Sequence, residues 1–481
     1  MSAVAGVTNG LVVVMKRDCP TCELVVPVLA RLAGGGELTV YTQDDPTFPE
    51  GIDGVEDDLS LDVSHKLRIE IVPTLISVRD GVEVARTYGW DQSEWATLTG
   101  IADIGADLPA LRPGCGALNV DPANLTELKI RHDETGLSAR LVPIGDQEDD
   151  IEACFERDWS DGLPVVPPTA ARVMNMLTGT ARKADEVLGD MPPMLAPCTV
   201  EKVAINAVMA GCKPEYLPVV IAAVEAALDP LFGLHGVIAT TRYVGPIVIV
   251  SGPIARRIGM NAKGNALGQG NRANSTIGRA LQLTIRNVGG GKPGGVDRAA
   301  LGNPGKHTYC FAEDEEGSAW TPLTVDQGLE AGASAVTLFA GYGLQGVVDE
   351  RARSPEELIA SFTASLRVSD NVNKFPAPDC LIVVCPEHEI TFMKGGWDKE
   401  RVRRELTERL TLPYDEVKPG AGGVATGAGP EWEGKMVPKF GEGCLLIVRA
   451  GGGAGKFSGI IGGFSPRSPV ASNPVTKSVL N

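Results

Sequence analysis

Positive charge is scarce in this chain, with 44 Lys and Arg against 61 Asp and Glu, a net charge of −17 and a pI near 4.9. That balance argues against non-specific nucleic-acid binding, which needs clustered basic side chains. It also argues against a polybasic membrane anchor. Long apolar runs are missing too. A membrane-spanning helix needs about 18 or more apolar residues, and the longest candidate, Val237 to Val250, is broken by Arg242. The stretch Met1 to Asp18 has no basic leader, and its apolar run Leu11–Met15 is too short for the core of a signal peptide. The expectation is a cytoplasmic protein with no membrane contact. Cysteine is sparse as well: ten in 481 residues is far below a disulfide scaffold. In a reducing compartment such cysteines stay thiols unless they are catalytic, redox-active or metal-bound.

What is present is ordinary globular material. Apolar residues make up 43% and charged residues 22%, enough to build sizeable cores and not the composition of a disordered chain. At roughly 100–200 residues per domain the length allows two to four domains. The 58 glycines crowd after residue 258, so the C-terminal half holds tight turns or backbone that approaches a ligand closely.

The first hundred residues carry the clearest motif. LVVVM (11–15) is a short buried strand, Cys19-Pro20-Thr21-Cys22 follows it, and ELVVPVLARLA continues with helical periodicity. A CxxC between strand and helix puts its first cysteine at a helix N-terminus, where exposed N–H groups and the helix dipole favour a thiolate. The second, buried thiol can then resolve a mixed disulfide. Further strands follow around ELTVYTQ, LISVRD and VEVARTYG, with Val72-Pro73-Thr74 between them. Over residues 8–105 this order resembles the thioredoxin fold. The resemblance implies that Cys19 is the attacking thiol and Cys22 the resolving one. It also implies that Pro73 is cis and faces them, with its neighbour's backbone pairing to a substrate. The chain departs from that family in having Asp18 where a Trp precedes the first cysteine, and Pro-Thr between the cysteines. Asp18 should oppose the thiolate.

Residues 105–118 hold prolines and glycines without periodicity and read as a linker. Cys115 lies there between glycines, an incidental exposed thiol by the simpler reading and a relay thiol by the other. LTELKIRHD and GLSARLVPI, within 119–143, read as strands of a hairpin around Glu134-Thr135-Gly136, and DQEDDIE as an acidic lead-in to a helix. The expected division is a thioredoxin-like domain at 1–105, a linker and hairpin at 106–150, and a large α/β domain at 151–481.

In that large domain helical blocks (VEKVAINAVMAGC, LPVVIAAVEAAL, NSTIGRALQLTIRNV, SPEELIASFTASLRV, DKERVRRELTERL) alternate with strands (GVIATTR, PIVIVSG, DCLIVVC, GCLLIVRAGG). Such alternation predicts an α/β domain with a mainly parallel sheet, in one body or two lobes divided near 287–325. The segment 259–275 is densest in glycine and amides. It follows a strand, opens a helix, and offers Asn261, Lys263, Asn265, Asn271, Arg272, Asn274 and, on the helix, Arg279 to a carboxylate or phosphate. The alternative is a long loop whose amides satisfy each other.

Three places carry thiol or imidazole groups. Cys310 lies three residues from Glu313, a nucleophile and acid–base arrangement if both face a cleft. Cys385-Pro386-Glu387-His388 follows a buried strand, the end at which open α/β sheets place their sites, with His388 a candidate base. Cys198 and Cys212 bracket a helix about four turns long and cannot pair within it. Cys212 and Cys444 read as small core hydrophobes. His307, Cys310, Cys385 and His388 have the ligand types of a Cys2His2 metal site, but nothing local joins the two pairs. A metal there is the minor alternative, and no cofactor is expected beyond the Cys19–Cys22 pair. The stretch 450–458 (AGGGAGKFS) lacks the first glycine and the hydroxyl residue of a phosphate-binding P-loop. DGLPVVPPT (161–169), TVEKVAINAVMAGC (199–212), PEHEITFMKGGWDKERVRREL (386–406) and AGGGAGKFSGIIGG (450–463) resemble bacterial proteins associated with the UGSC family, named for its selenocysteine-Gly-Ser-Cys motif. That motif is absent here, so the resemblance implies a redox setting and no particular reaction.

The leading expectation is a thiol-dependent redox enzyme. Its CxxC domain would supply electrons to a large domain that transforms a small anionic metabolite by reductive cleavage or thiol transfer. Cys310 would be the thiol there, with Glu313 and His388 moving protons. Fusion would raise the donor's effective concentration to roughly millimolar. An external thiol or thioredoxin-reductase-type donor would recharge it, and a homodimer is the expected assembly. Two alternatives stand beside this. One is a protein disulfide reductase whose large domain binds a partner protein. The other is a non-redox lyase or hydrolase with a regulatory thioredoxin-like domain.

Overall fold

The computed structural model describes residues 7–35, 38–145, 147–423, 426–465 and 472–480. Met1–Gly6 of the N-terminal stretch and Asp146 of the acidic lead-in lie outside the described residues. The protein is mixed α/β with several open sheets. It divides into two compact units, Met1–Gly136 and Leu137–Asn481. Among the described residues no single helix is long and apolar enough to cross a membrane.

The first unit is built on one five-stranded sheet. Its strands are β1 (Gly10–Met15), β2 (Leu38–Thr42), β3 (Val55–Asp57), β5 (Thr74–Arg79) and β6 (Val82–Tyr88), with the two-residue β4 (Ile71–Val72) just before β5; the sheet order is β3-β2-β1-β5-β6. β1 runs parallel to β2 and antiparallel to β5, and Val12–Met15, which point alternately to its two faces, are all fully buried. That burial explains why it shows no alternation. Between β1 and β2 lies helix α1 (Pro20–Ala33), with Cys19 as its N-cap. Pro20 suits the first helical position, where its missing N–H has no intrahelical partner to lose. Cys22, Val25, Leu29 and Leu32 form its buried stripe.

Residues 105–118 are not a linker. After β7 (Trp90–Asp91) the chain returns as β8 (Leu111–Arg112), pairing with β7, and β9 (Cys115–Gly116), pairing with β4. Two-residue strands separated by Pro113-Gly114 are too short to leave a periodic signal. The strap packs tightly: Gly89 has φ +66°, and a Cβ there would come within 2.6 Å of the Gly114 nitrogen. The hairpin expected within 119–143 is also replaced. A 3-10 turn at Leu118–Val120 leads into a helix at Pro122–Arg131. Asp121 caps it by accepting the Ala123 N–H, and the Asp-Pro pair is a cap-plus-first-turn signal that outweighs the short alternation.

The second unit holds two four-stranded sheets of the same plan. In the first, Gly245–Ser251 is parallel to Cys310–Ala312 and antiparallel to Ala335–Gly341, which in turn is antiparallel to Val475–Ser478. In the second, Cys380–Val384 is parallel to Leu445–Arg449 and antiparallel to Phe457–Gly462, which is antiparallel to Gln345–Val348. The mainly parallel sheet expected from the sequence is therefore corrected to two mixed sheets. Fully buried strands read as unbroken apolar runs in either direction, so direction left no trace in the pattern. The edge strands are exchanged along the chain: Gln345–Val348, which follows the first sheet's third strand, completes the second sheet, and Val475–Ser478 does the reverse. The two sheets share one core. Ile247, Ile249, Phe311 and Phe339 of the first pack with Leu381, Val383, Leu446, Val448 and Ile461 of the second. Their other faces are covered by helices, Val200–Ala210, Leu217–Leu228 and Arg272–Asn287 on the first, and Pro355–Val368 and Lys399–Arg409 on the second. Of GVIATTR (236–242), expected as a strand, the first four residues instead end the helix Leu234–Ala239, with Val237 and Ile238 buried.

Replacing Gly89 with Ala should cost the first unit about 1–3 kcal/mol, from an unfavourable φ and a collision with the strap. Gly81, at φ +75° with nothing within 4 Å, is the control. Its Ala variant should lose less in denaturant unfolding of the full chain.

Candidate functional site

The first unit brings three thiols together. Cys19 is 1% exposed and Cys22 fully buried. The Cys22 N–H points at Cys19 Sγ at 3.4 Å, and Cys19 Sγ lies 3.5 Å from the Val72 carbonyl oxygen. The Val72–Pro73 peptide bond is cis. Cys22 itself receives the Lys16 N–H at 3.5 Å. The hydrogen bond from Cys22 holds the Cys19 thiol down at about 5, against the opposing effect of burial, with help from Cys115 and the backbone of Cys22 and Thr21. Burial drives Cys22 the other way, far above the thiol range, and the Cys19 bond adds to it. Cys19 is thus the lowered thiol of the pair and Cys22 the raised one. Asp18, expected to oppose the thiolate, is not among the largest influences on Cys19.

Cys115 was the unexpected member. The β4–β9 pairing sets it directly opposite Val72, and burial, followed by the neighbouring Cys19, raises its thiol above the ordinary value. Thr21, inside the CxxC, donates its hydroxyl to the Pro113 carbonyl at 2.6 Å, tying the strap to the motif. A Pro-Thr dipeptide is therefore not only a spacer here.

In the second unit several buried polar and thiol side chains collect where strands of both sheets end. Cys385 follows the strand Cys380–Val384 and N-caps the helix Pro386–Lys394, which carries His388 one turn in. Cys385 and His388 are 4% and 1% exposed. Ser458, opening the adjacent antiparallel strand, accepts the Cys385 N–H at 3.0 Å and lies 2.7 Å from His388 Nδ1. His388 Nε2 lies 3.3 Å from the Asp349 carbonyl, which can only accept. A carbonyl acceptor at that distance calls for a proton on Nε2. Burial raises the Cys385 thiol, but hydrogen bonds to His388 and Ser458 outweigh it and hold the thiol below its ordinary value. This is a thiol–imidazole pair of the kind that generates a nucleophile.

Cys310 is not its partner. Cys310 and Ala312 face the helix-covered core, whereas Phe311 faces the other sheet, so alternation turns Glu313 away from Cys310. The neighbours of Cys310 are Cys212 and the Gly278 backbone, and burial pushes its thiol above the usual range. Cys198 and Cys212 are pushed up to about 12 for the same reason. Glu313 accepts the Ser251 hydroxyl at 2.7 Å and the Leu323 N–H at 3.0 Å, and burial raises its carboxyl to about 7 despite the Lys399 charge. Arg449 links this region to the His388 helix: its Nε is 3.0 Å from Glu389, and its Nη2 is 3.6 Å from Asp314.

The amide-rich loop is largely spent on itself. Asn261, Asn265 and Asn271 donate to the carbonyls of Gly264, Gln269 and Gly259. Asn274 donates to Asn261 and Ala266. Arg272 binds the Gly211 carbonyl, and Arg279 forms a two-pronged pair with Asp161. Lys263 is exposed. The loop nevertheless reaches the thiol: Ala262 accepts the Gly451 N–H at 2.9 Å, and Gly451 lies beside Cys385, whose Cβ is 3.9 Å from the place a Gly451 Cβ would take. His307 is exposed, and among the described residues no group of three or more His, Cys, Asp or Glu side chains could hold a metal ion. The set His307, Cys310, Cys385 and His388 is therefore not assembled.

The raised Glu313 carboxyl has a stability consequence. Its folded value near 7 exceeds the ordinary glutamate value of 4.5, so the native state holds the extra proton between those values. Stability from this group is present below about pH 4.5 and is lost as pH rises through 7, by about 3 kcal/mol at most. The Glu313→Gln variant should lose less stability than the wild type between pH 5 and 8 in urea unfolding. Neither a protein-family model nor a curated protein sequence matches this chain.

Proposed function

We propose that the chain is a thiol-dependent redox enzyme in which a thioredoxin-like first unit supplies electrons from Cys19 and Cys22 to thiol chemistry on a small anionic metabolite in the second unit. The observation that carries this reading is the split dithiol: a Cys19 thiol lowered to about 5 by its hydrogen bond with Cys22, beside a Cys22 thiol held protonated by burial. The strand–CxxC–helix order and the position of Val72-Pro73 against Cys19 support the likeness to thioredoxins. In the second unit the reacting thiol is assigned to Cys385 rather than Cys310, with His388 as its proton partner and Glu313 as a further proton-transfer group at the same end of the two sheets. Reductive cleavage or thiol transfer would leave an oxidised sulfur, which the Cys19–Cys22 dithiol would reduce and an external thiol donor would recharge.

The Cys385–His388–Ser458 arrangement favours one second reading. It has no resolving thiol in its own hydrogen-bond set, which suits a lyase or hydrolase using Cys385 as a nucleophile without change of oxidation state.

The test is a redox titration of the full chain in glutathione buffers, with acid quench, alkylation and peptide mapping. A reversible Cys19–Cys22 disulfide should form, while Cys198, Cys212, Cys310 and Cys380 become alkylated only after unfolding. Independent alkylation of Cys19 and Cys22 at every potential would overturn the redox reading.

A further inference from the structure

The dithiol is enclosed. Cys19 is 1% exposed and Cys22 0%, whereas Cys115, paired in register with the Val72 whose carbonyl meets Cys19 Sγ, is a half-exposed residue. Its position is built by several separate contacts. The register pair sets Cys115 opposite Val72, the residue whose carbonyl lies 3.5 Å from Cys19 Sγ. The Ala117 N–H is held by the Glu70 carbonyl at 3.0 Å, closing the far side of the pairing. Thr21 holds Pro113, two residues before Cys115. Gly114 lies where a Cβ would come within 2.6 Å of the Val72 oxygen, so the strap could not sit this close with a side chain there. An exposed linker cysteine needs none of this.

We propose that Cys115 is a third reacting thiol, and that electrons leave the Cys19–Cys22 dithiol through a Cys19–Cys115 disulfide. The inference rests on the redox reading of Cys19 and Cys22 and adds the route by which that pair meets its oxidant, a low-molecular-weight or protein disulfide. In the first step the Cys115 sulfur attacks one sulfur of the incoming disulfide. The incoming S–S bond breaks, Cys115 forms a mixed disulfide, and the proton of Cys115 goes to the departing thiolate, with the Cys19 thiolate placed to carry it. In the second step the Cys19 thiolate attacks the Cys115 sulfur, and the second half of the substrate leaves as a thiolate. In the third step Cys22 attacks Cys19, the Cys19–Cys115 bond breaks, and the Cys22 proton passes to Cys115. The sum is oxidation of one dithiol to Cys19–Cys22 and reduction of one disulfide to two thiols, with Cys115 returned as it began.

The test uses the full-length Cys22→Ser chain, which cannot take the third step. It is reduced, reacted with glutathione disulfide, quenched in acid, alkylated and mapped. The expected product is a Cys19–Cys115 disulfide. Glutathione retained on Cys19 with Cys115 alkylated as a free thiol would overturn the relay, even where the wild type forms Cys19–Cys22 normally. A wild-type chain that forms no Cys19–Cys22 disulfide would overturn the redox reading and the relay with it. Because Ser at a buried site could disturb folding, the half-exposed Cys115→Ser variant gives a second measurement. It should slow reduction of glutathione disulfide by about tenfold, equivalent to about 1.4 kcal/mol in the barrier. A rate within about twofold of wild type would overturn the proposal.

Discussion

A thiolate survives out of water only where hydrogen-bond donors replace the water it has lost, and the first unit is organised around doing this for Cys19. Burial alone would raise that thiol, as it raises Cys198, Cys212 and Cys380 to about 12. The difference is placement. Cys19 caps a helix, so the thiol and N–H of Cys22, the Thr21 backbone and Cys115 converge on its sulfur. The helix stands there because β1 is covered on both sides and must hand its chain to a crossover leading to β2. The strap is there because Gly89 and Gly114 let two backbones meet with no side chain between them.

The second unit solves a different problem by duplication. Two sheets of one plan share a core and exchange edge strands, and their strand ends lie at a common end. Each half contributes a different chemical group at the corresponding place. The first carries Ser251 with Glu313, and the second carries Cys385 with His388 and Ser458. Arg449, reaching Asp314 on one side and Glu389 on the other, couples them electrostatically. Low local dielectric strengthens each of these contacts and makes each unpaired group costly, which favours fixed geometry.

The parts of this arrangement that were legible in the sequence are those written in adjacent residues. β1, α1, the CxxC at its cap and the long helices of the second unit follow from local periodicity and caps. The i, i+3 spacing of Cys385 and His388 at a strand end was visible as well, although nothing local ranked it above Cys310. What decided between them was strand alternation: Phe311 faces the other sheet and Cys310 the helices, and only the partner sheet reveals which face is which. Ser458 lies 70 residues from His388, so no window contains both. Strand direction was lost because buried strands look alike in parallel and antiparallel sheets. The strap was lost because Pro113 and Gly114, which normally punctuate, here permit close packing, and its pairing strands are two residues long. The amide-rich loop was read first as an anion site, but its asparagines are used mostly to hold its own shape, the alternative that composition could not separate from it.

The most direct test of the account is the ionisation of Cys19 in the reduced full chain, followed by thiolate absorbance near 240 nm as the pH is lowered, with Cys19→Ser as the reference. The account predicts that one thiolate is present at neutral pH and disappears with a midpoint at about 5, and that this transition is missing from the variant. A Cys19 transition near the ordinary thiol value, or no difference between the two chains, would contradict it.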